Sequence, residues 1–300
     1  MIKVQANRAS KNFQQAATNL NQSCLEGLGD PIFSYWCKFY GENPDEQANS
    51  VKLLEPSIYN RLESKATVSK LLKEHNITDV FPATFLTVKE AIAHPNPVNI
   101  WFIKPFHLSG GRDIQVVAAA DLPHFKLPKF NIVQAGIDNI QLIEGKKFTA
   151  RIYLLIWNQA VYLFNDGFVI VHAPQYDKES TDYSVQVDHR GYESDESPVK
   201  MMLASELADF VQIMAKAEES TRKIRPVLQE AIAASSHKRY IFLGIDLLPL
   251  NDGNIKFIEI NAIPNFIHSP KINQELNVPF FEHAMRVMYG IGSDRLTPLK

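Results

Sequence analysis

Residues 241–266 read IFLGIDLLPLNDGNIKFIEINAIPNF, and this stretch decides how the chain folds. An apolar run that ends at Leu248 is followed by an Asp252-Gly253 pair and then by an alternating segment from Ile255 to Asn261. An Asp-Gly pair between apolar runs is a strong hairpin signal, because a two-residue turn of this type needs φ > 0 at both central positions. The sequence therefore predicts a β-hairpin that turns at these two residues.

The predicted turn also fixes which residues face each other. Counting outward from it gives three cross-strand pairs: Asn251 with Asn254, Leu248 with Phe257, and Asp246 with Glu259. Opposed residues share a sheet face, and Asn261 lies on the same face, two positions beyond Glu259. Two bare carboxylates held opposite each other inside apolar strands repel, and burying either charge alone is costly.

Two explanations of the carboxylate pair remain open. A hard divalent cation removes both penalties, since Asp, Glu and an amide oxygen are ligands that Mg²⁺ accepts. In the alternative, one carboxylate binds a Lys or Arg and the other lies at the solvent edge, as structural ion pairs often do. Pro249 weakens the predicted register, because its nitrogen cannot donate to a ladder and a bulge is expected there.

Composition narrows the class of protein. The 300 residues are 45% hydrophobic and 21% charged, which is ordinary for a soluble globular protein. A formal net charge of -2 gives no support to a nucleic-acid or membrane-surface role. The N-terminal residues contain no basic region followed by an apolar core, and no apolar run approaches the ~20 residues that span a bilayer, so we expect neither a secretory signal nor a membrane span. Since Cys24 and Cys37 are the only cysteines, we expect a cytoplasmic protein without a disulfide framework or a Cys-rich zinc site.

A strand, a tight loop and a second strand are predicted between residues 99 and 117, reading NIWFIKPF, HLSGGRD and IQVV. Lys104 stands inside the first apolar strand, and Ser109-Gly110-Gly111-Arg112 forms the loop. Successive glycines let backbone N–H groups approach an anion, and an adjacent cation supplies countercharge, so phosphate is a candidate ligand. The structural alternative is a plain hairpin with an edge lysine. The spacing is not that of a P-loop.

Arg151 is the sole charge in the strand ARIYLLIW. It must find an anion or carbonyl groups, because it cannot give up its proton. A core carboxylate would satisfy it as well as a phosphate would. Further along, residues 176–197 are polar and aperiodic, which favours a mobile surface loop or a lid, with His189 solvated.

The remaining periodic segments predict packing elements. We expect helices over residues 63–75 and 199–235, the second broken at Pro226, and a helix capped by Thr87. Strands are expected at residues 130–135, 147–157, 160–164 and 168–173, with a turn at Asn165-Asp166-Gly167. Other apolar sets predict amphipathic helices and core packing: Phe13, Ala16, Ala17 and Leu20 near the N-terminus; Phe33, Tyr35, Trp36, Phe39 and Tyr40; and Phe280, Phe281, Ala284, Val287 and Met288 in the tail.

Taken in order, these segments resemble the tubulin tyrosine ligase-like branch of the ATP-grasp superfamily, from about Glu63 to the C-terminus. Five motifs carry the resemblance: W-x-x-K-P at Trp101–Pro105, S-x-G-x-G-I at Ser109–Ile114, the adenine hinge at Val133–Ile137, K-F-D-x-R at Lys147–Arg151, and E-x-N-x-x-P at Glu259–Pro264. Two positions depart from these motifs. Asp113 stands at the second glycine of the loop motif, and Thr149 stands at the aspartate of K-F-D-x-R.

The resemblance implies an α/β (α+β) ATP-grasp fold, in which a nucleotide is held between two sheet-containing subdomains after a small N-terminal domain. The expected divisions are an N-terminal domain of residues 1–97, a central ATP-grasp subdomain of residues 98–136, and a C-terminal ATP-grasp subdomain of residues 137–300 that carries the metal-binding hairpin. Pro95 and Pro97 suit the first boundary.

The resemblance also implies a set of site residues. ATP would be contacted by Lys65, Lys104, Ser109, Gly110, Gly111, Gln134, Ile137, Lys147 and Arg151, with Gln134 and Ile137 framing the adenine. Asp246, Glu259 and Asn261 would hold Mg²⁺. Arg151, Glu259 and Asn261 would be the catalytic residues.

The implied activity is that of an ATP- and Mg²⁺-dependent carboxylate–amine ligase, which forms an amide bond through an acyl phosphate. Its acceptor would be a peptide or protein that receives an amino acid, with no nucleic acid or membrane partner. The substrate side departs from the family, because no arginine stands on the strand after the Gly167 turn, where the chain reads Phe168-Val169-Ile170-Val171-His172, and the H-L-T-N run is missing. Arg190, His172 and Lys238 are left as candidates for a substrate carboxylate. A ligase for a small metabolite and a nucleotide-binding pseudoenzyme that presents a surface to a partner are the alternatives.

Overall fold

The computed structural model describes residues 1–7, 11–23, 30–36, 41, 47–48, 50–192, 196–236 and 238–300. Cys24, Cys37, Phe39 and Tyr40, which were considered from the sequence, lie outside these residues. Over the described chain the strands form one large sheet and one four-stranded sheet.

The large sheet contains ten strands within the described residues. They are β1 (Lys3–Ala6), β2 (Ile32–Tyr35), β3 (Val51–Leu53), β8 (Leu142–Ile143), β9 (Lys146–Trp157), β10 (Ala160–Val171), β11 (Lys200–Leu203), β12 (Arg239–Pro249), β13 (Ile255–Ala262) and β14 (Leu296–Leu299). The order along the sheet is β1-β2-β3-β12-β9-β10-β11, with β13 paired to β12, β14 to β10 and β8 to β9. The central strands β9, β10 and β12 are antiparallel neighbours.

The small sheet is antiparallel and has its own core. Its strands are β4 (Thr84–Phe85), β5 (Ile100–Pro105), β6 (Gln115–Ala118) and β7 (Asn131–Ala135), in the order β4-β7-β5-β6. Trp101 and Ile103 of β5 are buried there with Val133 of β7. Each sheet therefore packs against an apolar core. Core packing does not explain the polar side chains that lie between the two sheets.

The helices are α1 (Lys11–Gln22), α2 (Pro56–Glu63), α3 (Lys65–Glu74), α4 (Val88–Ile92), α5 (Tyr183–Gln186), α6 (Phe210–Ala231), α7 (Pro270–Ile272) and α8 (Val278–Met288). α1 and α8 pack together over one end of the large sheet, where Phe13 and Phe281 lie 6.1 Å and 5.2 Å from the ring of Phe242. Phe242, Gly244 and Asp246 alternate onto the same face of β12. The two helices thus cover one end of this face, and the other end is left for a cleft.

The predicted hairpin is present, and Asp246 pairs with Glu259 as expected. The rest of the predicted register is wrong. Gly253 has φ +79 while Asp252 is not among the residues with positive φ, so the chain turns through a three-residue loop that shifts Leu248 onto Lys256 rather than Phe257. A bulge between Asp246 and Leu247 compensates for this one-residue shift, so that Asp246 still faces Glu259. The bulge was expected at Pro249 and lies nearer to Asp246.

Three further sequence predictions fail for identifiable reasons. Residues 160–171 form one strand, because Asn165-Asp166-Gly167 is a bulge inside β10 and not a turn. Residues 200–203 form an edge strand, so the predicted helix begins only at Phe210. Pro226 lies inside α6 without breaking it, between the buried side chains of Ile224 and Val227. Tertiary packing thus overrides local preference at each place.

The predicted helices over residues 63–75 and at Thr87 are confirmed, and Ser64 and Thr87 cap them by accepting hydrogen bonds from the backbone N–H groups of Thr67 and Glu90. The domain divisions at residues 97 and 136 stay predictions. Strands from residues 3–53 extend the large sheet, and Thr84–Phe85 extends the small one. No helix among the described residues is long and apolar enough to cross a membrane.

Candidate nucleotide and metal site

A cleft lies between the two sheets. It holds about 760 Å³, its open mouth included, which suits a small-molecule ligand. Its walls come from β5, β7, β9, β12 and β13 and from the segment around α5; they include Phe102, Lys104, Gly111, Gln134, Ile137, Lys147, Thr149, His172, Gln186, His189, Asp246, Leu248 and Glu259. The structure thus brings together residues from every motif that the sequence analysis singled out.

Strand pairing arranges the floor of the cleft. Lys147, Thr149 and Arg151 alternate onto one face of β9. Arg151 pairs with Asp246 on β12, and Asp246 pairs with Glu259 on β13. A basic residue and two carboxylates therefore lie side by side across three adjacent strands.

Arg151 and Asp246 form a bidentate ion pair at this end of the cleft. Nε and Nη2 of Arg151 donate to the two oxygens of Asp246 at 2.5 Å and 2.7 Å. The two side chains are only 18% and 13% exposed. Burial by itself lowers the pKa of Arg151, but the Asp246 carboxylate outweighs that effect and leaves the pKa above its ordinary value. A core carboxylate thus neutralises the charge of Arg151, which is one of the two possibilities that the sequence left open.

Glu259 is also paired. Lys65, the first residue of α3, donates from Nζ to Oε1 of Glu259 at 2.9 Å and to the carbonyl oxygen of Leu108 at 2.8 Å. The side chains of Lys65 and Glu259 are 9% and 15% exposed. The ion-pair alternative is therefore realised for both carboxylates, and not for one alone.

The oxygen atoms that remain still fit a hard cation. Asn261 donates from Nδ2 to Oδ2 of Asp246 at 3.1 Å, which turns its own Oδ1 away as an acceptor. Among the described residues, none donates a hydrogen bond to Oδ1 of Asn261 or to Oε2 of Glu259. The described residues contain no group of three or more His, Cys, Asp or Glu suited to a metal, so any ion here would depend on two carboxylates, one amide and oxygen atoms of the ligand.

The other end of the cleft, where Lys147 lies four strand positions from Arg151 along β9, carries two buried lysines that form no salt bridge among the described residues. Lys104 comes from the small sheet and Lys147 from the large one, and their Nζ atoms lie 5.4 Å and 5.5 Å from the centre of the Phe102 ring. Nζ of Lys147 donates to the carbonyl oxygen of Gln186 at 2.7 Å. Among the described residues, none accepts a hydrogen bond from Nζ of Lys104.

The environment of these lysines lowers their affinity for protons. Burial lowers the pKa of Lys104 to about 8, although the Glu259 carboxylate opposes the change. Burial and the nearby charge of Lys104 lower the pKa of Lys147 to about 7. Two buried amines with lowered pKa values in one cleft are a common feature of functional sites.

The glycine loop between β5 and β6 has a left-handed backbone at three positions. Gly110, Gly111 and Asp113 all have positive φ, at +68, +72 and +58. Asp113 thus adopts the left-handed conformation of the glycine it replaces in the motif, as Asp does more readily than most residues. Of the loop residues predicted to contact the nucleotide, Gly111 lines the cleft, whereas Ser109 and Gly110 are exposed.

The segment expected to be a lid packs onto this loop. The hydroxyl of Tyr183 donates to the carbonyl oxygen of Gly111 at 2.9 Å. Asp182 caps α5 by accepting a hydrogen bond from the N–H of Ser184. The helix places Gln186 against Lys147. The sequence analysis missed both Tyr183 and Gln186, although the Asp182 cap was a usable signal.

His189 does not stand in solvent as predicted. It is half-buried and lines the cleft, and its ring centre lies 5.6 Å from that of His172. The prediction was wrong because the flanking charges of Asp188 and Arg190 pair with each other, at 2.8 Å, and leave the imidazole free to pack inward.

The three residues considered for binding a substrate carboxylate lie at different places in the structure. His172 is buried in the cleft, and Arg190 is exposed at its rim in the pair with Asp188. Lys238 precedes β12 at the far end from Asp246, eight strand positions or about 26 Å away at ~3.3 Å per residue. Lys238 is therefore excluded from this site.

The predicted hinge residues Gln134 and Ile137 both line the cleft. Gln134 is buried and donates from Nε2 to the hydroxyl oxygen of Thr84 at 3.1 Å, so its Oε1 stays an acceptor. The carbonyl oxygen of Ile137 accepts the hydroxyl proton of Tyr176 at 3.4 Å. Leu248 and Ile258 supply apolar surface nearby.

The combination of a curled large sheet, a second antiparallel sheet and a basic cleft between them defines an ATP-grasp fold. The model of the tubulin-tyrosine ligase family matches residues 40–295. The chain belongs to the tubulin-tyrosine ligase family.

Relatives with names give a closer comparison. The chain is 25% identical over 256 residues to "Tubulin glycylase 3C" of Tetrahymena thermophila, a match covering 76% of this chain and 23% of that protein. It is 25% identical over 263 residues to "Tubulin polyglutamylase TTLL7" of Homo sapiens, covering 73% of this chain and 29% of that protein. It is 26% identical over 255 residues to "Probable alpha-tubulin polyglutamylase Ttll1" of Tetrahymena thermophila, covering 70% and 60%. The chain spans less than two thirds of each relative.

Proposed function

We propose that the chain is an ATP- and Mg²⁺-dependent carboxylate–amine ligase that joins an amino acid to a peptide or protein acceptor. The observation that carries the proposal is the cleft, which brings two buried lysines that form no salt bridge among the described residues, and Gly111 of the glycine loop, together with the carboxylates of Asp246 and Glu259. Family membership supports the same chemistry.

Each end of the cleft has a separate task in this proposal. Lys104, Lys147 and the backbone N–H groups around Gly111 would bind the phosphate chain, because the two lysines are basic side chains of the cleft that form no salt bridge among the described residues. Phosphoryl transfer depends mainly on positioning and on neutralising charge, so no protein nucleophile is needed. Arg151 and Lys65 would then be free to move from the carboxylates to the transferred phosphate.

The reaction balances without another cofactor. A carboxylate oxygen of the acceptor attacks the γ-phosphorus, the bond to the β-phosphate oxygen breaks, and ADP leaves. The nitrogen of the amino acid attacks the acyl carbon, the bond to phosphate breaks, and an amide forms with loss of one proton. Asp246, Glu259 and Asn261 would hold Mg²⁺, which supplies charge neutralisation at the phosphates.

The names of the relatives suggest which substrates to try first. Glycylase and polyglutamylase activities attach glycine and glutamate to tubulin. We propose these two amino acids, with tubulin or a carboxylate-rich peptide as the acceptor. The sequence lacks the arginine and the H-L-T-N run expected on the substrate side, so the acceptor is the component that the first experiment varies.

The test is a reconstitution with intact mass spectrometry. Purified chain, ATP and MgCl₂ are incubated with tubulin or a glutamate-rich peptide and each amino acid in turn. The expected result is release of ADP together with an acceptor heavier by one amino-acid residue. Free dipeptides and amines are run in parallel, and turnover on these alone would favour the small-metabolite ligase.

A nucleotide-binding module without turnover is the second candidate. Both carboxylates of the hairpin are already held by cations, and Thr149 stands at the aspartate position of its motif. Tight ATP binding without ADP release across all twenty amino acids and every acceptor would select this candidate over the ligase.

A further inference from the structure

Phe130, which directly precedes β7, is an aromatic residue in an unusual position. Its side chain is 75% exposed, and no other Phe, Tyr or Trp of the described chain is classed as exposed. Its backbone has φ +60, a left-handed conformation that bulky side chains rarely adopt. The protein thus keeps a large apolar ring in water on a strained backbone, and strain of this kind is concentrated at functional sites.

The ring of Phe130 packs against that of Phe106, and we call these two residues the aromatic rim. Their ring centres lie 6.1 Å apart with the ring planes at 79°, an edge-to-face contact. The N–H of Phe106 donates to the carbonyl oxygen of Phe130 at 2.9 Å. The rim is therefore one structural unit, in which a hydrogen bond between the two backbones holds both rings at the surface.

The aromatic rim continues the face of the small sheet that lines the cleft. Phe102 faces Gln134 and Lys104 faces Ile132 where β5 pairs with β7. Phe102, Lys104 and Gln134 all line the cleft. Phe106 lies two positions beyond Lys104, so the alternation of side chains places it on the same face. The wall of the cleft thus ends at the surface in two aromatic rings.

Lys65 holds this edge of the small sheet next to the carboxylates of the hairpin. Its backbone N–H donates to the carbonyl oxygen of Phe106 at 3.0 Å. Its Nζ donates to the carbonyl oxygen of Leu108 at 2.8 Å and to Oε1 of Glu259 at 2.9 Å. The aromatic rim therefore lies beside the part of the cleft where we propose that phosphate is transferred to the acceptor.

The chain around the aromatic rim is basic. Residues 104–112 and 122–130 contain no Asp or Glu, whereas Arg112, Lys126 and Lys129 in these segments are exposed. An apolar contact surface flanked by cations is complementary to an acidic peptide that carries an apolar side chain. A single-stranded nucleic acid also binds rings and cations, but the net charge of the chain is -2 and the rim has only one exposed ring, so the peptide is favoured.

We infer that the aromatic rim is the docking surface for the acceptor, an acidic peptide that packs an aromatic or aliphatic side chain against Phe106 and Phe130 while a neighbouring carboxylate enters the cleft. The inference rests on the proposed ligase function, to which it adds the place where the acceptor binds and a requirement for an apolar residue near the modified carboxylate. A docked side chain covers the ring of Phe130 and removes its apolar surface from water.

The wild-type protein gives the first test. Fluorescence anisotropy compares three labelled probes: a glutamate-rich peptide with one phenylalanine, the same peptide with serine in its place, and a single-stranded oligothymidylate. We expect the phenylalanine peptide to bind about 10-fold more tightly than the serine peptide, since a well-packed aromatic pair contributes up to ~1.5 kcal/mol. Binding of both peptides should weaken as salt is raised. Equal affinity for the two peptides, no binding of either, or tighter binding of the oligonucleotide would overturn the inference.

The variant Phe130→Asn gives the second test. Asn adopts positive φ more readily than Phe, so the melting temperature of the unliganded protein should be unchanged or higher. Affinity for the phenylalanine peptide should fall about 10-fold, to the level of the serine peptide, while ATP affinity is unchanged. A lower melting temperature with unchanged peptide affinity would show that Phe130 only stabilises the fold.

The matched control is Ile92→Asn. Ile92 is 50% exposed at the end of α4, and its neighbour Ala91 packs into the core on the other face of the small sheet. This change also removes an exposed apolar side chain, but away from the cleft, and it should leave peptide affinity unchanged. A loss equal to that of Phe130→Asn would show that the effect is not specific to the aromatic rim.

Binding is measured without turnover, so the two proposals can fail separately. Turnover of the phenylalanine peptide with the same KM in wild type and Phe130→Asn would retain the ligase and overturn the inference. Peptide binding that depends on Phe130 without any release of ADP would remove the ligase and leave the aromatic rim as a peptide-binding surface.

Discussion

The two ends of the cleft differ in how their charges are balanced. At the hairpin end, Arg151 and Lys65 lie within 2.9 Å of the carboxylates of Asp246 and Glu259. At the glycine-loop end, Lys104 and Lys147 are buried with no carboxylate partner among the described residues. The first end is stable as it stands, whereas the second is held at a cost that an anion would relieve. Stability and ligand binding should therefore respond in opposite ways to mutations at the two ends.

The largest expected effect is on turnover, from Glu259→Gln. This change keeps an acceptor for Lys65 but removes one negative charge from the proposed Mg²⁺ site. We expect turnover to fall about 10³-fold, since charge stabilisation by a metal contributes several kcal/mol. ADP release measures it, and Glu219→Gln on the exposed face of α6 is the control. If the variant retains full turnover, the ion pair between Lys65 and Glu259 has only a structural role.

The second effect is on stability, from Asp246→Ala. Removing this carboxylate leaves Arg151 buried without its bidentate partner, and breaking a buried pair costs about 3–5 kcal/mol. Urea unfolding measures the loss. The matched control is Asp79→Ala, whose exposed pair with Lys223 should be worth about 1 kcal/mol or less. Equal losses in the two variants would erase the distinction between the ends of the cleft.

The third effect has the opposite sign. Lys147→Met replaces a buried ammonium by an apolar side chain of similar length. The unliganded protein should gain stability on the order of 2 kcal/mol at pH 7, because the burial that lowers the pKa of Lys147 to about 7 opposes folding and is removed with the amine, while ATP affinity falls. Thermal melts with and without ATP measure both. Lys216→Met, on the surface of α6, should change neither, and a loss of unliganded stability in Lys147→Met would contradict the argument.

The sequence predicted the hairpin and one of its cross-strand pairs correctly, but not the register of its turn. The Asp246–Glu259 pair was obtained from the wrong turn, because a one-residue shift at the loop is cancelled by the bulge next to Asp246. Neither deviation has a local signature, since Pro249 marked a weak point but not the bulge itself. The pairing of Asp246 with Glu259 was predicted correctly because polar residues are few in these apolar strands and can take few positions across the sheet.

Partners across the sheet were the part that sequence could not supply. A lone arginine in an apolar strand had to find an anion, but only the pairing of β9 with β12 identifies Asp246. The lid was misjudged for the same reason. Its polar composition predicted solvent exposure, whereas Gln186 and His189 contribute to the wall of the cleft. Burial of His172 became visible only with the fold, and the roles of all these residues stay predictions.

The smallest effect is a pH dependence at the basic end. Lys147 has a folded-state pKa of about 7 against an ordinary 10.5, so between these values the unfolded chain binds more protons than the folded one. Unliganded stability therefore rises with pH above about 7, and below it this group contributes no slope. Bound phosphate favours the charged lysine, so ATP affinity should fall from pH 7 to 9, with proton uptake measurable by calorimetry in buffers of different ionisation enthalpy. Lys147→Met should flatten both slopes, whereas a slope unchanged in that variant would assign the titration to another group and remove the distinction between the two ends.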